Sequence, residues 1–272
     1  TGKQVPQSTI VFCGVHFMAE SACVLAPGKR VLLPNLSAGC SLADSITPES
    51  LEAWKERYPG HAVVTYVNST AEVKALSDVC CTSANAASVV RSLPEKKILF
   101  TPDRNLGAWV KAKVPEKEVV VYDGACPVHD VLRSSNVEKV KRDRPEAVII
   151  AHPECRADVL EIADEVCSTT AMLGAVGRHP SAKTFIVATE HGIVHQMRNR
   201  YPDKEFVIAD GCLGCRMHCP YMKMIDLLMV RDALLRERPS RRLVIYPLLN
   251  PDGYRVVEAN LRARRFRFVR SN

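Results

Sequence analysis

At 272 residues and 47% hydrophobic side chains the chain has ample material for a buried core, and no apolar run reaches the ~18 residues that a membrane-crossing helix needs. The formal charge of +7 is local: eleven arginines stand against four acids in residues 231–270. No basic motif interleaved with aromatics accompanies them, so nucleic acid and membrane are not expected as partners, whereas an anionic small substrate suits a basic chain. Eleven cysteines without a tight pairing pattern point to a reducing compartment, the cytoplasm.

In chain order, residues 10–13 read as a short buried strand, 17–25 as a helix ended by Pro27-Gly28, and 31–33 as the next strand. Residues 42–58 read as one helix stopping before Pro59, 62–67 as a strand, 71–76 as a helix and 79–81 as a strand. Thr82 and Ser83 are placed to cap the following helix. The same order returns: strand 98–100, helix 106–113, strand 119–122, a helix to Arg144, strand 147–151, helix 157–163 and a helix opening at Ser168. A third round offers strand 184–188, helix 191–200, strand 206–209, helix 222–238 and strand 243–246.

Sliding the sequence against itself shows why the order returns. A shift of 86 carries Cys40 onto Cys126, Pro59 onto Pro145, Asp78 onto Asp164 and Cys81 onto Cys167, and a shift of 87 carries Asp123-Gly124 onto Asp210-Gly211. Three α/β units are expected, 1–96, 97–182 and a partial 183–272. Short β-branched strands alternating with helices imply parallel sheets covered on both faces, with ligands at the carboxyl ends of the strands.

Each unit carries a loop ending in cysteine after a strand: Cys40, Cys126 and Cys219. Zinc is one reading, because Cys212-x2-Cys215-x3-Cys219 with His218 supplies four N/S ligands. That reading leaves the matched Cys40 and Cys126 without a purpose. Three units around a pseudo-threefold axis would instead bring one cysteine each to a shared four-iron cluster, leaving one iron open as a Lewis acid. The open iron alone also allows a different hydro-lyase, and a structural or sensing metal protein is the reading from another class.

Tyr66, Asn68, His152 and Glu154 end matching strands and are expected to face the same centre. A histidine and a carboxylate beside a Lewis acid suit proton shuffling next to an imine or carbonyl. Ser83 and Thr169, read at helix N-termini, suit a carboxylate or phosphate. Cys80, Cys81 and Cys167 read as core packing, His16 as structural, and His179, His191 and His195 as surface residues.

Several linked motifs go further: Val15-His-Phe-Met-Ala-Glu20, Ala38-Gly-Cys40, Tyr66-Val-Asn68 with Thr82-Ser-Ala-Asn85, Gly124-Ala-Cys126-Pro-Val-His129, His152-Pro-Glu154 with Ser168-Thr169, Ala188-Thr-Glu190 and Cys219-Pro-Tyr-Met-Lys223. With these the chain resembles the quinolinate synthases from about Ile10 to Ile225. The resemblance implies three three-layer αβα sandwiches around a pseudo-threefold axis and one [4Fe-4S] cluster on Cys40, Cys126 and Cys219. It implies condensation of iminoaspartate with dihydroxyacetone phosphate, losing phosphate and two waters, to give quinolinate for NAD. Aspartate oxidase or aspartate dehydrogenase is then the expected functional partner. Tyr66, Asn68 and Ser83 are implied to hold substrate, His152 and Glu154 to handle protons or touch the cluster-bound ligand, and Thr169 to contact an anionic group. Family members open with a further segment that completes the third unit. Its absence before Thr1 is read as a truncation, and residues 241–272 depart from the family ending.

Overall fold

The computed structural model describes residues 4–210, 217–236 and 243–247. The Cys212 and Cys215 positions, most of the divergent tail and the start at Thr1 lie outside these residues. In order come β1 (Thr9–Cys13), α1 (His16–Leu25), β2 (Arg30–Leu32), α2 (Pro48–Arg57), β3 (Ala62–Tyr66), α3 (Ala71–Ala75), β4 (Val79–Cys81) and α4 (Ala86–Ser92). Next are β5 (Lys97–Thr101), α5 (Arg104–Lys113), β6 (Glu118–Val121), α6 (Pro127–Asp130), α7 (Ser134–Asp143), β7 (Val148–Ala151), α8 (Ala157–Glu161) and β8 (Glu165–Val166). The chain continues through α9 (Thr169–Arg178), β9 (Thr184–Ala188), α10 (Ile193–Arg200), β10 (Glu205–Ile208), α11 (Leu227–Arg236) and β11 (Leu243–Pro247).

The strands form three parallel sheets, ordered β4-β3-β5-β6, β8-β7-β9-β10 and β11-β1-β2. The first two share one topology, and the duplication extends to single hydrogen bonds. Val63 N–H donates to Asp78 Oδ2 at 2.7 Å, and Ile149 N–H donates to Asp164 Oδ2 at 2.8 Å. Sheet and sequence repeat are out of phase by half a unit, since β3, beside β4, pairs with β5 of the next repeat. The chain divides into two compact units, residues 41–218 with both four-stranded sheets, and the ends, 1–40 and 219–272, with the β11-β1-β2 sheet.

Alternation along the strands builds three layers. In the β8-β7-β9-β10 sheet, Ile149, Ala151, Ile186 and Ala188 pack with Val137 of α7 and Val159 of α8 on one face. Ile150, Phe185, Val187 and Phe206 pack on the other with Met172 and Val176 of α9 and Met197 of α10. Each such buried valine, isoleucine, phenylalanine or methionine contributes about 1.5–3 kcal/mol. The β4-β3-β5-β6 sheet buries Val63 and Leu99 against Ile46 and Leu51 on its α2 side. In the terminal unit, Val230 of α11 packs with Cys13, Ile225 and Leu234.

The single helix expected over 42–58 is corrected by Thr47 and Pro48. A short 3₁₀ turn, Ala43–Ser45, precedes α2, whose first residue is Pro48. Thr47 Oγ1 accepts from Ser50 N–H at 3.2 Å and Ser50 Oγ accepts from Thr47 N–H at 2.9 Å, a reciprocal cap that opens a new helix. The helix expected from 222 likewise starts later, after a 3₁₀ turn at Tyr221–Lys223. Cys80 is exposed, not core, while Cys81 is buried.

Candidate active site

Within the 41–218 unit the carboxyl ends of β3 and β7 meet over one polar cluster. Tyr66, the last residue of β3, is buried, and its Oη donates to Glu154 Oε1 at 2.6 Å. Glu154 follows β7 by three residues and is 3% exposed. Its second oxygen lies 3.0 Å from His129 Nδ1, and that nitrogen is also 3.2 Å from Cys126 Sγ. His129 Nε2 meets Thr189 Oγ1 at 2.9 Å, so both ring nitrogens are engaged.

Cys126 is held by backbone chemistry. Asp103 caps α5, its Oδ1 accepting from Leu106 N–H at 2.7 Å while Oδ2 accepts from Cys126 N–H at 3.1 Å. Two residues earlier, Gly124 N–H donates to Pro102 O at 3.1 Å. A Cβ at Gly124 would fall 2.6 Å from Pro102 O and collide with Ser45 Oγ, so only glycine allows this approach. Asn105 Nδ2 donates to Glu154 O at 3.0 Å and to Asp130 Oδ1 at 3.0 Å, fixing the β7 loop to the same corner.

His152 lies beside the pair, its ring centroid 5.1 Å from that of His129. Its Nδ1 accepts from Glu154 N–H at 3.3 Å, which places the proton on Nε2, 3.2 Å from Ser83 Oγ. Tyr66, Ser83, Cys126, His152 and Glu154 are thereby brought together. Asn68 and Thr169 are half-buried, two residues past β3 and at the first residue of α9. Cys40 and Cys219 are half-buried residues of the terminal unit.

The electrostatics assign the protons. Burial disfavours the charged form of both Glu154 and His129, but their ion pair outweighs it, lowering Glu154 below the carboxylate range and raising His129. Burial, with the His129 charge beside it, outweighs the attraction of Glu154 and pushes His152 down to about 4, so that ring is neutral. Burial, then the Glu154 charge, lifts the Tyr66 phenol well above its ordinary value. Burial and the same charge raise Asp103. At neutral pH the cluster therefore holds an imidazolium–carboxylate pair beside the Cys126 sulfur, a neutral imidazole and a protonated phenol.

Sequence reasoning assigned no role to His129, Asp103 or Ser168. The Cys126-x2-His129 spacing, one turn of α6, was the available signal for the first. Ser168 is the N-cap of α9, buried, with its Oγ making no hydrogen bond, while Thr169 is the first helical residue. Ser83 lies in the turn before α4, whose cap residue is Asn85. His191, expected at the surface, is half-buried and lies against Glu190 and His218.

Cys126, His129 and Glu154 could hold a metal, their donor atoms all within 4.8 Å of one another. Among the described residues no helix is long and apolar enough to cross a membrane.

Comparison with known proteins agrees with the motifs. The family described as Quinolinate synthetase A protein matches residues 1–252. The chain is 50% identical over 232 residues to the quinolinate synthase of Geotalea uraniireducens, covering 85% of this chain and 74% of that protein. It is 49% identical over 232 residues to the enzyme of Caldicellulosiruptor saccharolyticus, with 85% and 75% covered. It is 54% identical over 215 residues to that of Pelobacter propionicus, with 79% and 69% covered. The chain belongs to the quinolinate synthetase A family.

Proposed function

We propose that this chain condenses iminoaspartate with dihydroxyacetone phosphate, with loss of phosphate and two waters, to form quinolinate in NAD biosynthesis. A [4Fe-4S] cluster on Cys40, Cys126 and Cys219 completes the proposal. Cys126 supports this reading: it offers a half-buried sulfur whose backbone is fixed by Asp103 and whose neighbours are a histidine and a carboxylate. When bound, the cluster supplies a Lewis-acidic iron without a protein ligand.

The chain's own residues divide the remaining work. His129, engaged through both ring nitrogens, holds Glu154 as a charged carboxylate, and Glu154 is the base that handles protons beside the reacting carbon. Ser83 Oγ accepts from His152 Nε2–H and bonds the Tyr66 phenol, linking the two groups on the substrate side of Glu154. Tyr66 holds Glu154 in place from the β3 side. Asn68 and Thr169 bind the polar ends of the substrate, and the unengaged Oγ of Ser168 at the N-terminus of α9 joins Thr169 in receiving a carboxylate or phosphate. Iminoaspartate must come from an enzyme that oxidises aspartate, an oxidase or dehydrogenase. The cysteine content supports a reducing cytoplasmic setting.

The observation that carries the reading is Glu154, bonded at once to Tyr66 and His129 next to Cys126. Anaerobically purified, iron-loaded protein given both substrates should release quinolinate, identified by chromatography and mass. Consumption of substrate without quinolinate would overturn the reaction assigned.

A further inference from the structure

Glu190, His191 and His218 form a second cluster of donors in the 41–218 unit, and the quinolinate reaction uses none of them. Their ligand atoms all lie within 4.8 Å of one another. We propose that these three side chains form a binding site for a single divalent cation of the zinc type.

Three observations converge. Glu190 is buried, with Oε2 accepting from Gly192 N–H at 2.8 Å, so the carboxylate is oriented by its own loop. His191 Nδ1 is buried and makes no hydrogen bond, although Glu190 Oε1 lies 3.3 Å away. A buried imidazole nitrogen left unbonded beside a carboxylate is costly in a metal-free site and natural for a ligand. The His218 ring stacks on His191 with centroids 5.0 Å apart and an angle of 13°.

The backbone presents these groups together. His191 N–H donates to Met217 O at 3.0 Å, tying the loop after β9 to the residue before His218. Met217 adopts φ 51, which side chains other than glycine rarely take, and its side chain is fully buried. Such a conformation persists only where packing imposes it, and here it fixes the chain direction into His218.

Two imidazoles and one carboxylate are the donor set of zinc and neighbouring divalent ions, not of magnesium or calcium. Zinc bonds of about 2.0–2.1 Å place neighbouring donors about 3.4 Å apart. The present spread needs only a modest closing of the exposed His218 ring. A bound cation would clamp the Thr189–Gly192 loop to the segment entering Cys219.

The test uses cluster-loaded protein incubated without oxygen with one equivalent of Zn²⁺, then desalted. About one zinc per chain should remain with iron unchanged. Zinc-edge X-ray absorption should show nitrogen and oxygen neighbours at about 2.0–2.1 Å and no sulfur at about 2.3 Å. His191→Ala and His218→Ala should each weaken zinc binding by about a hundredfold in chelator competition, while His179→Ala binds as wild type. Loss of zinc on desalting, sulfur in its first shell, displacement of iron, or unchanged affinity in His191→Ala would overturn the site. The absorption spectrum of wild-type protein decides the matter even if a variant fails to fold.

Discussion

Tyr66 Oη and Glu154 Oε1, 88 residues apart in sequence and from two different sheets, share a 2.6 Å hydrogen bond in the buried centre of the 41–218 unit. The bond joins strand ends that occupy the same place in two copies of one repeat. Tyr66→Phe removes a donor to a buried carboxylate and should cost about 1.5–3 kcal/mol of stability in denaturant unfolding. Quinolinate formation should fall by about 10²-fold with iron content unchanged. Wild-type turnover in the variant would show that Tyr66 only packs.

Glu154→Gln removes the charge that holds His129 protonated while keeping the shape. Iron should be retained and turnover lost, by about 10³-fold in single-turnover measurements. A variant that turns over normally contradicts the role given to this carboxylate.

Cys126→Ala should abolish the cluster, whereas Cys23→Ala, altering an exposed position on α1, should leave it intact. Iron and labile sulfide per chain decide between them. Equal retention in both proteins contradicts the ligand assignment.

Gly124→Ala places a methyl group against the carbonyl of Pro102, which cannot move as a side chain can. A stability loss of about 1–3 kcal/mol is expected, together with reduced iron, because Cys126 lies two residues on. Adding Ser45→Ala should not restore iron, since the backbone contact remains.

Glu165 gives a pH prediction remote from the site. Arg178 and His179 bond its carboxylate, at 2.9–3.1 Å, and these bonds lower its pKa. A lowered carboxylate contributes stability above its unfolded pKa and loses it as pH falls through the folded value. The melting temperatures of wild type and Glu165→Gln should differ at neutral pH and converge in acid. A gap constant with pH contradicts the ion pair's contribution.

The strands and their order were legible because β-branched runs recur at fixed spacing, and Asp78 and Asp164 repeat even their hydrogen bonds. Which strands share a sheet was not legible. Repetition reports similarity between β3 and β7, whereas adjacency is set by the register of β3 against β5 across the repeat boundary. Tyr66, His152 and Glu154 were found because they sit at corresponding strand ends. His129 was not, because it lies one helical turn past its cysteine and its partners Glu154 and Thr189 are distant in sequence. The orphaned Oγ of Ser168 depends on burial, which periodicity does not report.

The most direct test of the account is iron and acid-labile sulfide per chain, with Mössbauer spectra recorded before and after adding a stable iminoaspartate analogue, on protein kept free of oxygen. The account predicts about four irons, one of which changes its spectrum when the analogue binds. Zinc in place of iron, or four irons indifferent to the analogue, would contradict it.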